Sequence, residues 1–469
     1  MNSRPDILLI QPPLHLVRTD LGASQVSPNI GLAYIAACQR QLGRRVMVID
    51  AHALNWGLAR IISEVRVLQP RLIGLSAMTY QILQAAAVAE ALKREFPDVP
   101  VLLGGAHSTS VPERTLEEFP AFDAVLAGEG EITTGQVLED SEAGRLRARP
   151  GVYVHGGDVT LSCQEAPPLP PLDELPHPAF DLFPLHAYWP FYSRRWIMEL
   201  PLSSSRGCPW HCTFCTKVMG DRVRFRSPES LLEETARYIT DYGLRQVIFT
   251  DENFTHKESL VHGYCEGLLR RGIAGRVRLI CQSRVTLAEE TIALMARAGF
   301  THITFGVESG DQEILDRASK GIKLAQSRRA VEQAKKHGMI VDGNFILGLP
   351  YETEATVRKT IDFACSLPLD YASFFLLVPY PGSEVMAMAR RGEGYLRLMS
   401  DDWKDFGKQT GGALELTSIG RKRLEKLQFM GYLRFYGHPK RWLPVFRKVS
   451  LGTVLAFLGM RVRALVRAD

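Results

Sequence analysis

The sequence reads Ser203-Ser-Ser-Arg-Gly-Cys-Pro-Trp-His-Cys-Thr-Phe-Cys215 directly after a predicted strand. Its three cysteines, Cys208, Cys212 and Cys215, have the spacing C-x3-C-x2-C. Three thiolates on one short loop can bind three irons of a 4Fe–4S cluster and leave the fourth iron without a protein ligand. A zinc site is the alternative, but it normally takes four ligands at paired spacings, and His211 would strain the loop as the fourth. The spacing therefore favours the iron–sulfur cluster.

A series of six βα units begins at this segment. The predicted strands lie near residues 202–204, 246–249, 278–281, 302–305, 341–346 and 373–378, and the predicted helices span 231–242, 260–271, 289–298, 324–337 and 354–366. Six units are three quarters of the eight-unit barrel. We therefore expect a partial (β/α)6 barrel over residues 199–390, with its site at the carboxyl ends of the strands.

A second α/β pattern precedes the barrel. Predicted strands at residues 7–10, 46–49, 72–75, 101–103 and 124–126 alternate with helical segments at 31–42, 56–68, 81–96 and 112–119. This alternation predicts a doubly wound parallel sheet over residues 1–145, which would bind a ligand at the carboxyl ends of its strands. Glycines and small hydroxyl residues at those ends favour a large cofactor. Residues 146–198, with a predicted hairpin at 152–161 and eight prolines within 167–190, are predicted to be a linker.

Together these features resemble the radical S-adenosylmethionine (SAM) enzymes that carry a cobalamin-binding domain. That family includes the class B radical SAM methyltransferases and the anaerobic magnesium-protoporphyrin monomethyl ester cyclases, and the resemblance covers about residues 6–382. It implies three cofactors: a 4Fe–4S cluster, SAM bound to the open iron, and cobalamin bound by the N-terminal domain. It also implies an external one-electron reductant of the flavodoxin or ferredoxin type, whose electron cleaves SAM to a 5′-deoxyadenosyl radical.

The resemblance assigns SAM contacts to the barrel loops. Glu252, within Thr250-Asp-Glu-Asn-Phe254, is expected to bind the methionine amino group, and Arg284 the carboxylate. The full set of expected SAM-binding residues is Phe214, Asp251, Glu252, Asn253, Arg284, Glu308, Ser309, Ile346 and Gly348.

The nucleoside part of SAM is assigned to the fourth and fifth strands. The resemblance places Glu308 or Ser309 at the ribose hydroxyls, and Ile346 and Gly348 beside the adenine. Glu352 stands one position later than the glutamate of the commonest fifth-strand motif.

In the N-terminal domain, the resemblance assigns cobalamin contacts to the loops at the strand ends. The expected residues are Gly31, Leu32, Ser76, Thr79, Gly104, Gly105, His107, Gly128 and Glu129. The family pattern D-x-H-x-x-G, whose histidine binds cobalt from below, is interrupted. Asp50 and His52 fit, but Asn55 stands in place of glycine. We therefore expect cobalt without a histidine of this chain below it.

The resemblance implies an enzyme that methylates an unactivated carbon or phosphorus centre with the 5′-deoxyadenosyl radical and methylcobalamin. The alternative with the same cofactors is radical oxidative cyclisation or rearrangement of a tetrapyrrole-like or other substrate. A non-catalytic cobalamin protein is disfavoured because the cysteine triad is intact. Modification of tRNA is disfavoured because the chain shows no RNA-binding module, so no nucleic-acid partner is expected. The sequence assigns no general acid or base.

The composition and the cysteine usage are those of a globular protein from a reducing compartment. The 469 residues are 46% apolar and 23% charged, which excludes a disordered chain or a coiled coil. The eight cysteines do not form the pattern of a disulfide framework, and no signal peptide is recognised before residue 6. The longest apolar stretch of the tail, 449–460, is too short to span a bilayer. We therefore expect a cytoplasmic protein.

The positive charge is concentrated at the end of the chain. Residues 421–469 contain 12 Lys or Arg against 2 Asp or Glu, whereas the other 420 residues carry 44 basic and 49 acidic ones. Within the predicted helical C-terminal region, 391–469, this basic segment could be a solvated helical cap on the barrel. Its interleaved apolar and basic residues favour peripheral contact with an anionic membrane surface, which would fit a lipophilic small-molecule substrate.

Overall fold

The computed structural model describes residues 4–14, 27–162, 169–188, 197–407 and 412–441. These residues form two compact units, one that ends at Tyr188 and one that begins at residue 197. Each unit is built on a six-stranded, mainly parallel sheet, so the predicted α/β fold is confirmed for both halves.

The first unit is a doubly wound sheet. Its strands are β1 (Ile7–Gln11), β2 (Val46–Asp50), β3 (Leu72–Ser76), β4 (Val101–Gly104), β5 (Ala124–Leu126) and β6 (Val152–Val154). Its helices are α1 (Ile30–Gln41), α2 (Leu58–Leu68), α3 (Ile82–Glu95), α4 (Ala106–Ser110), α5 (Pro112–Glu118), α6 (Gly130–Glu142) and α7 (Val159–Ser162). The strand order is β2-β1-β3-β4-β5-β6, and the first five strands are parallel. The order reverses at β1, so a ligand is expected at the carboxyl ends of β1 and β3.

The segment predicted to be a hairpin is a strand followed by a short helix. β6 pairs antiparallel with β5, and the chain then turns into α7. Asp158 Oδ1 accepts a hydrogen bond from the Leu161 amide (3.3 Å), and Ser162 Oγ donates to the Val152 carbonyl (2.8 Å). These contacts favour a helical turn, so the predicted hairpin over 152–161 is wrong. The described residues up to Tyr188 belong to the first unit, which therefore extends beyond the predicted boundary at 145.

The second unit contains the partial barrel. Its strands are β7 (Glu199–Leu202), β8 (Ser205–Arg206), β9 (Arg224–Phe225), β10 (Gln246–Phe249), β11 (Arg278–Ser283), β12 (Phe300–Glu308), β13 (Ile340–Leu347), β14 (Tyr371–Leu376), β15 (Leu396–Leu398) and β16 (Leu414–Leu416). Its helices are α8 (Pro228–Tyr242), α9 (Glu258–Arg270), α10 (Glu289–Ala298), α11 (Gln312–Arg317), α12 (Leu324–Lys336), α13 (Glu354–Ser366), α14 (Glu384–Arg391) and α15 (Arg421–Tyr436).

Six parallel strands of this unit follow one another in chain order. The sheet reads β7-β10-β11-β12-β13-β14, as the predicted (β/α)6 barrel requires. The region predicted to be mostly helical also contains a two-stranded antiparallel sheet, β15 and β16. The carboxyl ends of the six barrel strands lie at one edge of the sheet, where the predicted site residues follow them.

α15 covers the outer edge of β14, the last strand of the barrel sheet. The Tyr436 hydroxyl accepts from the Ala372 amide and donates to the Ala372 carbonyl, both at 3.1 Å. The Tyr432 hydroxyl makes the same pair of bonds with Phe374 (3.2 and 3.3 Å), and Gln428 Nε2 also donates to the Phe374 carbonyl (2.6 Å). An edge strand with unpaired backbone groups is a template for pairing with another chain, and α15 satisfies these groups instead.

The described part of the basic tail therefore has a structural role. Three of its arginines form ion pairs within the unit: Arg421 with Glu425, Arg423 with Glu354, and Arg434 with Asp362. The remaining part of the predicted membrane segment, 442–469, lies outside the described residues. Among the helices that the structure describes, none has the length and apolar character that crossing a membrane requires.

Replacing Tyr432 and Tyr436 together with Phe removes both hydroxyls from the edge of β14. We expect the free energy of unfolding to fall by roughly 1–2 kcal/mol per residue, because backbone groups of Ala372 and Phe374 lose their partners. Chemical denaturation of the double variant measures this. Tyr395→Phe, which removes a hydroxyl from a side chain that is 48% exposed, is the matched control and should change stability little. Equal stability of the double variant and the control would contradict the proposed edge bonding.

Candidate active site

The loop that carries the three cysteines is closed by a short antiparallel pair of strands. β8 pairs with β9, so the loop spans residues 207–223. Gly207 begins it with a φ of 97°, and a Cβ atom there would lie 2.5 Å from the carbonyl oxygen of Arg222. The Cys208 amide then donates to the Gly220 carbonyl at 3.1 Å. Glycine at position 207 is therefore required for the chain to fold back and close the loop.

The three thiols are near enough to influence one another. The surrounding protein shields the Cys215 thiol from water on one side, and with Cys212 and Cys208 nearby this raises its pKa to about 11, although the residue is solvent-exposed. Three thiolates on one loop therefore need a positively charged partner, which the irons of a cluster supply. Each thiolate of a cubane binds a different iron, so the cysteines need not converge on one ion. In the part of the chain that the structure describes, no three His, Cys, Asp or Glu side chains do so.

A cavity of about 340 Å³ lies at the carboxyl ends of the barrel strands. Five of the nine predicted SAM-binding residues line it: Phe214, Glu252, Arg284, Glu308 and Ile346. The other four lie outside its lining: Asp251, Asn253, Ser309 and Gly348. The lining also contains residues that the sequence did not single out: Gln282, Ser283, Thr304, Gly306, Lys320, Asn344, Phe375, Leu376, Leu377, Val378 and Tyr380.

Asp251 and Asn253 support the cavity without lining it. The buried Asp251 carboxylate accepts hydrogen bonds from the Ser204 amide (3.0 Å), the Ser204 hydroxyl (2.7 Å) and the Ser205 hydroxyl (2.6 Å). Asn253 Oδ1 accepts from the Arg284 amide at 3.2 Å. Asp251 thus connects the end of β10 to the start of the cysteine loop. Of these three residues, Glu252 is therefore the one that lines the cavity.

Two acidic and two basic side chains line the cavity. Glu252 is exposed to solvent, yet partial shielding from water still raises the pKa of its carboxyl. Arg284 is 6% exposed, and its Nη1 lies 3.9 Å from Cys212 Sγ. Lys320 Nζ donates to Glu308 Oε1 at 2.7 Å, and both of these side chains are buried. Such a set of opposite charges matches the zwitterionic amino-acid end of SAM.

The Glu308–Lys320 pair occupies space that Gly306 leaves open. A Cβ atom at Gly306 would lie 2.5 Å from Glu308 Oε1 and 2.9 Å from Lys320 Nζ. Glu308 itself has a φ of 65°, and the pairing of β12 with β13 shifts register between Gly306 and Glu308. A left-handed backbone at a non-glycine residue is uncommon and is concentrated at functional sites. The local backbone therefore turns the Glu308 carboxylate into the cavity.

Ser309, the alternative ribose contact, is directed elsewhere. It is fully buried, and its hydroxyl contacts Thr360 Oγ1 (3.1 Å) and accepts from the Asp311 amide (3.2 Å). Of the two predicted ribose contacts, Glu308 is the one that lines the cavity.

Glu352, which stands one position later than the glutamate of the commonest fifth-strand motif, holds the backbone turn after β13. Glu352 Oε2 accepts hydrogen bonds from the amides of Gly348 (2.6 Å) and Leu349 (3.1 Å). Gly348 has a φ of 94°, so the chain turns sharply after β13 and leaves Ile346 at the cavity wall. Burial raises the pKa of Glu352 to about 8. Glu352 therefore fixes the turn and does not line the cavity.

In the first unit, the predicted cobalamin residues lie at the carboxyl ends of the sheet strands. Asn29 Nδ2 donates to Gln11 Oε1 (2.7 Å) and lies 3.4 Å from Ser76 Oγ, and Asn29 Oδ1 accepts from the Leu32 amide (3.1 Å). Asn29 therefore connects the ends of β1 and β3 to the start of α1. Gly31 follows directly, and a Cβ atom there would lie 3.3 Å from Asn29 Oδ1.

Glycines also line the ends of the next strands. Gly105 has a φ of 103°, and a Cβ there would lie 2.8 Å from the Ala77 carbonyl. Gly104 has no atom closer than 3.9 Å to the position of a Cβ, and Gly128 has none within 4 Å. These open positions leave room for a large ligand to approach the backbone, so the unit fits a cobalamin.

Of the other predicted cobalamin residues, three are buried and one precedes a helix. Thr79 and Leu32 are buried, and Glu129 precedes the first residue of α6. His107 is fully buried, and burial together with Arg114 lowers its pKa to about 4. The His107 imidazole is therefore neutral at physiological pH.

The interrupted Asp-x-His pattern ends at a residue with a left-handed backbone. Asn55 has a φ of 53°, a left-handed conformation that Asn tolerates better than most residues after glycine. The Asp50 carboxylate is buried and accepts from the Ala53 amide and the Tyr188 hydroxyl, both at 2.8 Å. Asn55 thus adopts a conformation that glycine also adopts readily, and the Asp50 oxygens have partners other than an imidazole.

Comparison with known proteins agrees with both halves of this description. Residues 202–364 match the Radical SAM superfamily, and residues 22–138 match the B12 binding domain. The chain is 32% identical over 443 residues to the uncharacterized methyltransferase PH0819 of Pyrococcus horikoshii, covering 92% of this chain and 93% of that protein. It is 27% identical over 394 residues to the anaerobic magnesium-protoporphyrin IX monomethyl ester cyclase of Rubrivivax gelatinosus, covering 81% of this chain and 69% of the cyclase.

A solved structure shares the fold. The radical SAM methyltransferase TsrM from Kitasatospora setae, determined with cobalamin and a [4Fe-4S] cluster, superimposes with a TM-score of 0.69 at 18% identity, covering 85% of this chain and 82% of TsrM. Fold, site and sequence define a radical SAM enzyme with a B12-binding domain. The chain belongs to the cobalamin-dependent radical SAM family, and its cofactors are a 4Fe–4S cluster, SAM and cobalamin.

The pH dependence of stability tests the role of Glu352. Its folded pKa is about 8, whereas an unfolded glutamate titrates at about 4.3. Between these values the folded chain keeps a proton that the unfolded chain has lost, so this group makes the free energy of unfolding fall as the pH rises from 5 to 8. Glu352→Gln cannot titrate. We expect its slope to be less negative, by up to about 1.4 kcal/mol per pH unit.

The measurement is urea denaturation of the cluster-free chain at several pH values under reducing conditions. Glu354→Gln is the control, because the Glu354 pKa is held at about 2 by Arg423 and Arg358 and does not titrate in this range. Parallel slopes for Glu352→Gln and the wild type would contradict the assigned burial of the carboxyl.

Electron paramagnetic resonance of the cob(II)alamin form tests the lower face of cobalt. A histidine that binds a metal usually donates its second ring N–H to a carboxylate, a carbonyl or water, and Asp50 already accepts from Tyr188 and Ala53. We expect no nitrogen superhyperfine splitting from His52, and an identical spectrum for His52→Ala. A splitting that is present in the wild type and lost in His52→Ala would overturn this expectation.

Proposed function

We propose that the protein transfers a methyl group to an unactivated carbon or phosphorus centre of a small-molecule substrate. The observation that carries this proposal is the match with a methyltransferase along more than nine-tenths of both chains. The match with the cyclase leaves about a third of that protein uncovered. Methyl transfer is therefore the reaction that the comparisons favour.

The charged side chains of the cavity support a defined orientation of SAM. Arg284, with Lys320 beside it, would hold the methionine carboxylate, and Glu252 the amino group. Glu308 would accept from the ribose, and Ile346 would contact the adenine. When bound, the cluster supplies an electron, SAM supplies the 5′-deoxyadenosyl group, and cobalamin supplies the methyl group.

Apolar side chains of the same cavity would exclude water from the reacting groups. Phe375, Leu377 and Val378 line it at and after the end of β14, and Phe214 lines it from the cysteine loop. A radical is quenched by any nearby hydrogen donor, so a tightly lined site restricts the reaction to the intended partner. In this proposal the apolar side chains would shield the reacting groups, and the cofactors would contribute the chemistry.

Oxidative cyclisation or rearrangement is the second candidate, because three of the curated relatives are cyclases. It uses the same cofactors but needs no methyl donor. Contact of residues 442–469 with a membrane surface remains a proposal, and so does the lipophilic substrate that would fit it. The arginines of α15 do not support this contact, because they form ion pairs within the unit.

The products formed from SAM distinguish the two reactions. The full chain is reconstituted anaerobically with iron, sulfide and cobalamin, then incubated with SAM and a one-electron reductant. We expect about four irons and four sulfides per chain, and both 5′-deoxyadenosine and S-adenosylhomocysteine, because a methyltransferase must first load its reduced cobalamin with the methyl group of a second SAM. The triple variant Cys208→Ala, Cys212→Ala, Cys215→Ala should lose the cluster and the 5′-deoxyadenosine.

Cys365→Ala, on α13 and outside the triad, is the matched control and should retain the cluster. Formation of 5′-deoxyadenosine without S-adenosylhomocysteine would refute methyl transfer and favour cyclisation. Zinc without iron in the wild type would refute the cluster itself.

A further inference from the structure

Arg284 lies between the cysteine loop and the cavity. The guanidinium carbon is 4.1 Å from the centre of the Trp210 ring, and Nη1 is 3.9 Å from Cys212 Sγ. Nη2 donates a hydrogen bond to the backbone carbonyl of Lys320. A ring, a sulfur atom and a carbonyl thus surround one buried positive charge.

Trp210 belongs to the cysteine loop and covers this charge. It follows Cys208 by two residues and precedes Cys212 by two, and its side chain is 37% exposed. An arginine that stacks on an aromatic ring is attracted by the negative face of that ring and is separated from water on that side. The Trp210 ring therefore holds the Arg284 guanidinium next to the loop that carries the cluster ligands.

The positive charge of Arg284 has different neighbours from that of Lys320, the second cation of the cavity. Lys320 is paired with the Glu308 carboxylate at 2.7 Å. Within the described ranges, by contrast, no Asp or Glu forms an ion pair with Arg284, and Arg284 Nε is buried without a hydrogen-bond partner. The positive charge next to Cys212 is therefore not neutralised by a neighbouring acid.

We propose that Trp210 is a positioning residue that holds Arg284 against Cys212, and that this cation raises the reduction potential of the cluster. The proposal rests on the cluster assigned to the three cysteines. Reduction adds one negative charge to a group already bound by three thiolates, so a buried cation nearby stabilises the reduced form more than the oxidised form. One electron passes from an external flavodoxin- or ferredoxin-type donor to the cluster, and no bond forms or breaks in that step.

A redox titration of the reconstituted full chain, monitored by electron paramagnetic resonance in the absence of SAM, tests this. Without SAM, any contribution of Arg284 to SAM binding is removed from the measurement. We expect Arg284→Gln to shift the potential to more negative values. Arg222→Gln removes an exposed arginine from the same loop and is the charge-matched control. It should shift the potential little, because water and salt screen an exposed charge.

The contribution of Trp210 is tested by a double-mutant cycle. Trp210→Leu changes no charge, yet it should shift the potential in the same direction as Arg284→Gln by loosening the guanidinium. Trp210→Phe keeps a ring and should restore most of the wild-type value. In the Arg284→Gln background, Trp210→Leu should have no further effect, because its influence acts through Arg284.

Three results would overturn the proposal. The first is an Arg284→Gln potential that differs from the wild type no more than that of Arg222→Gln. The second is a Trp210→Leu shift that is the same size with and without Arg284, which would indicate an effect of solvent access instead. If Arg284→Gln does not assemble the cluster, an unchanged potential in Trp210→Leu overturns the proposal. Four irons and four sulfides in the wild-type chain show that the cluster has assembled. Each of these outcomes then concerns Trp210 and Arg284 and is distinct from a failure of the proposed function.

Discussion

Parallel strands that share a sheet end at the same edge, and the site of this protein depends on that constraint. Glu252 follows β10, Arg284 follows β11, Glu308 ends β12 and Ile346 lies near the end of β13. These residues are far apart along the chain, yet they line one cavity because six consecutive strands run in the same direction. The cysteine loop follows β7 in the same sheet, so its Phe214 reaches that cavity too. The site is thus assembled by topology, because side chains from five strand ends and from the cysteine loop meet at one edge of the sheet.

The cavity gathers four charged side chains within a small volume. Three of these side chains are buried and would be unfavourable if left without partners, but Lys320 is paired with Glu308 and Arg284 is stacked on Trp210. Space for the ion pair comes from the missing side chain of Gly306. The residues behind the lining matter equally, because Asp251 fixes the start of the cysteine loop and Glu352 fixes the turn after β13. Residues that touch no ligand therefore determine where the ligand-facing groups point.

Periodicity and spacing predicted the two sheets and the cysteine loop, because buried parallel strands appear as short apolar runs between helical segments. The strand ends were less predictable. Among Asp251, Glu252 and Asn253, the sequence does not show which side chains bond the protein backbone and which one lines the cavity. Nor does it show that the Ser309 hydroxyl contacts Thr360 and not the cavity. Lys320 was missed because it follows α11 and belongs to no strand-end motif. The α7 turn was mistaken for a strand since a glycine pair resembles a hairpin. Asn55 interrupts a sequence pattern, yet it adopts a left-handed backbone, which a sequence pattern does not show.

α15 has a consequence for how the chain is made. The hydroxyls that cover the outer edge of β14 come from Tyr432 and Tyr436, which are synthesised after the whole barrel. On the ribosome, β14 therefore emerges before the groups that will satisfy its edge, and it could pair meanwhile with a strand of another nascent chain. The end of the matched superfamily region, residue 364, lies before both β14 and α15. A fragment cut there would lack the last strand and its cover, so the barrel sheet with its edge satisfied is longer than the region by which it is recognised.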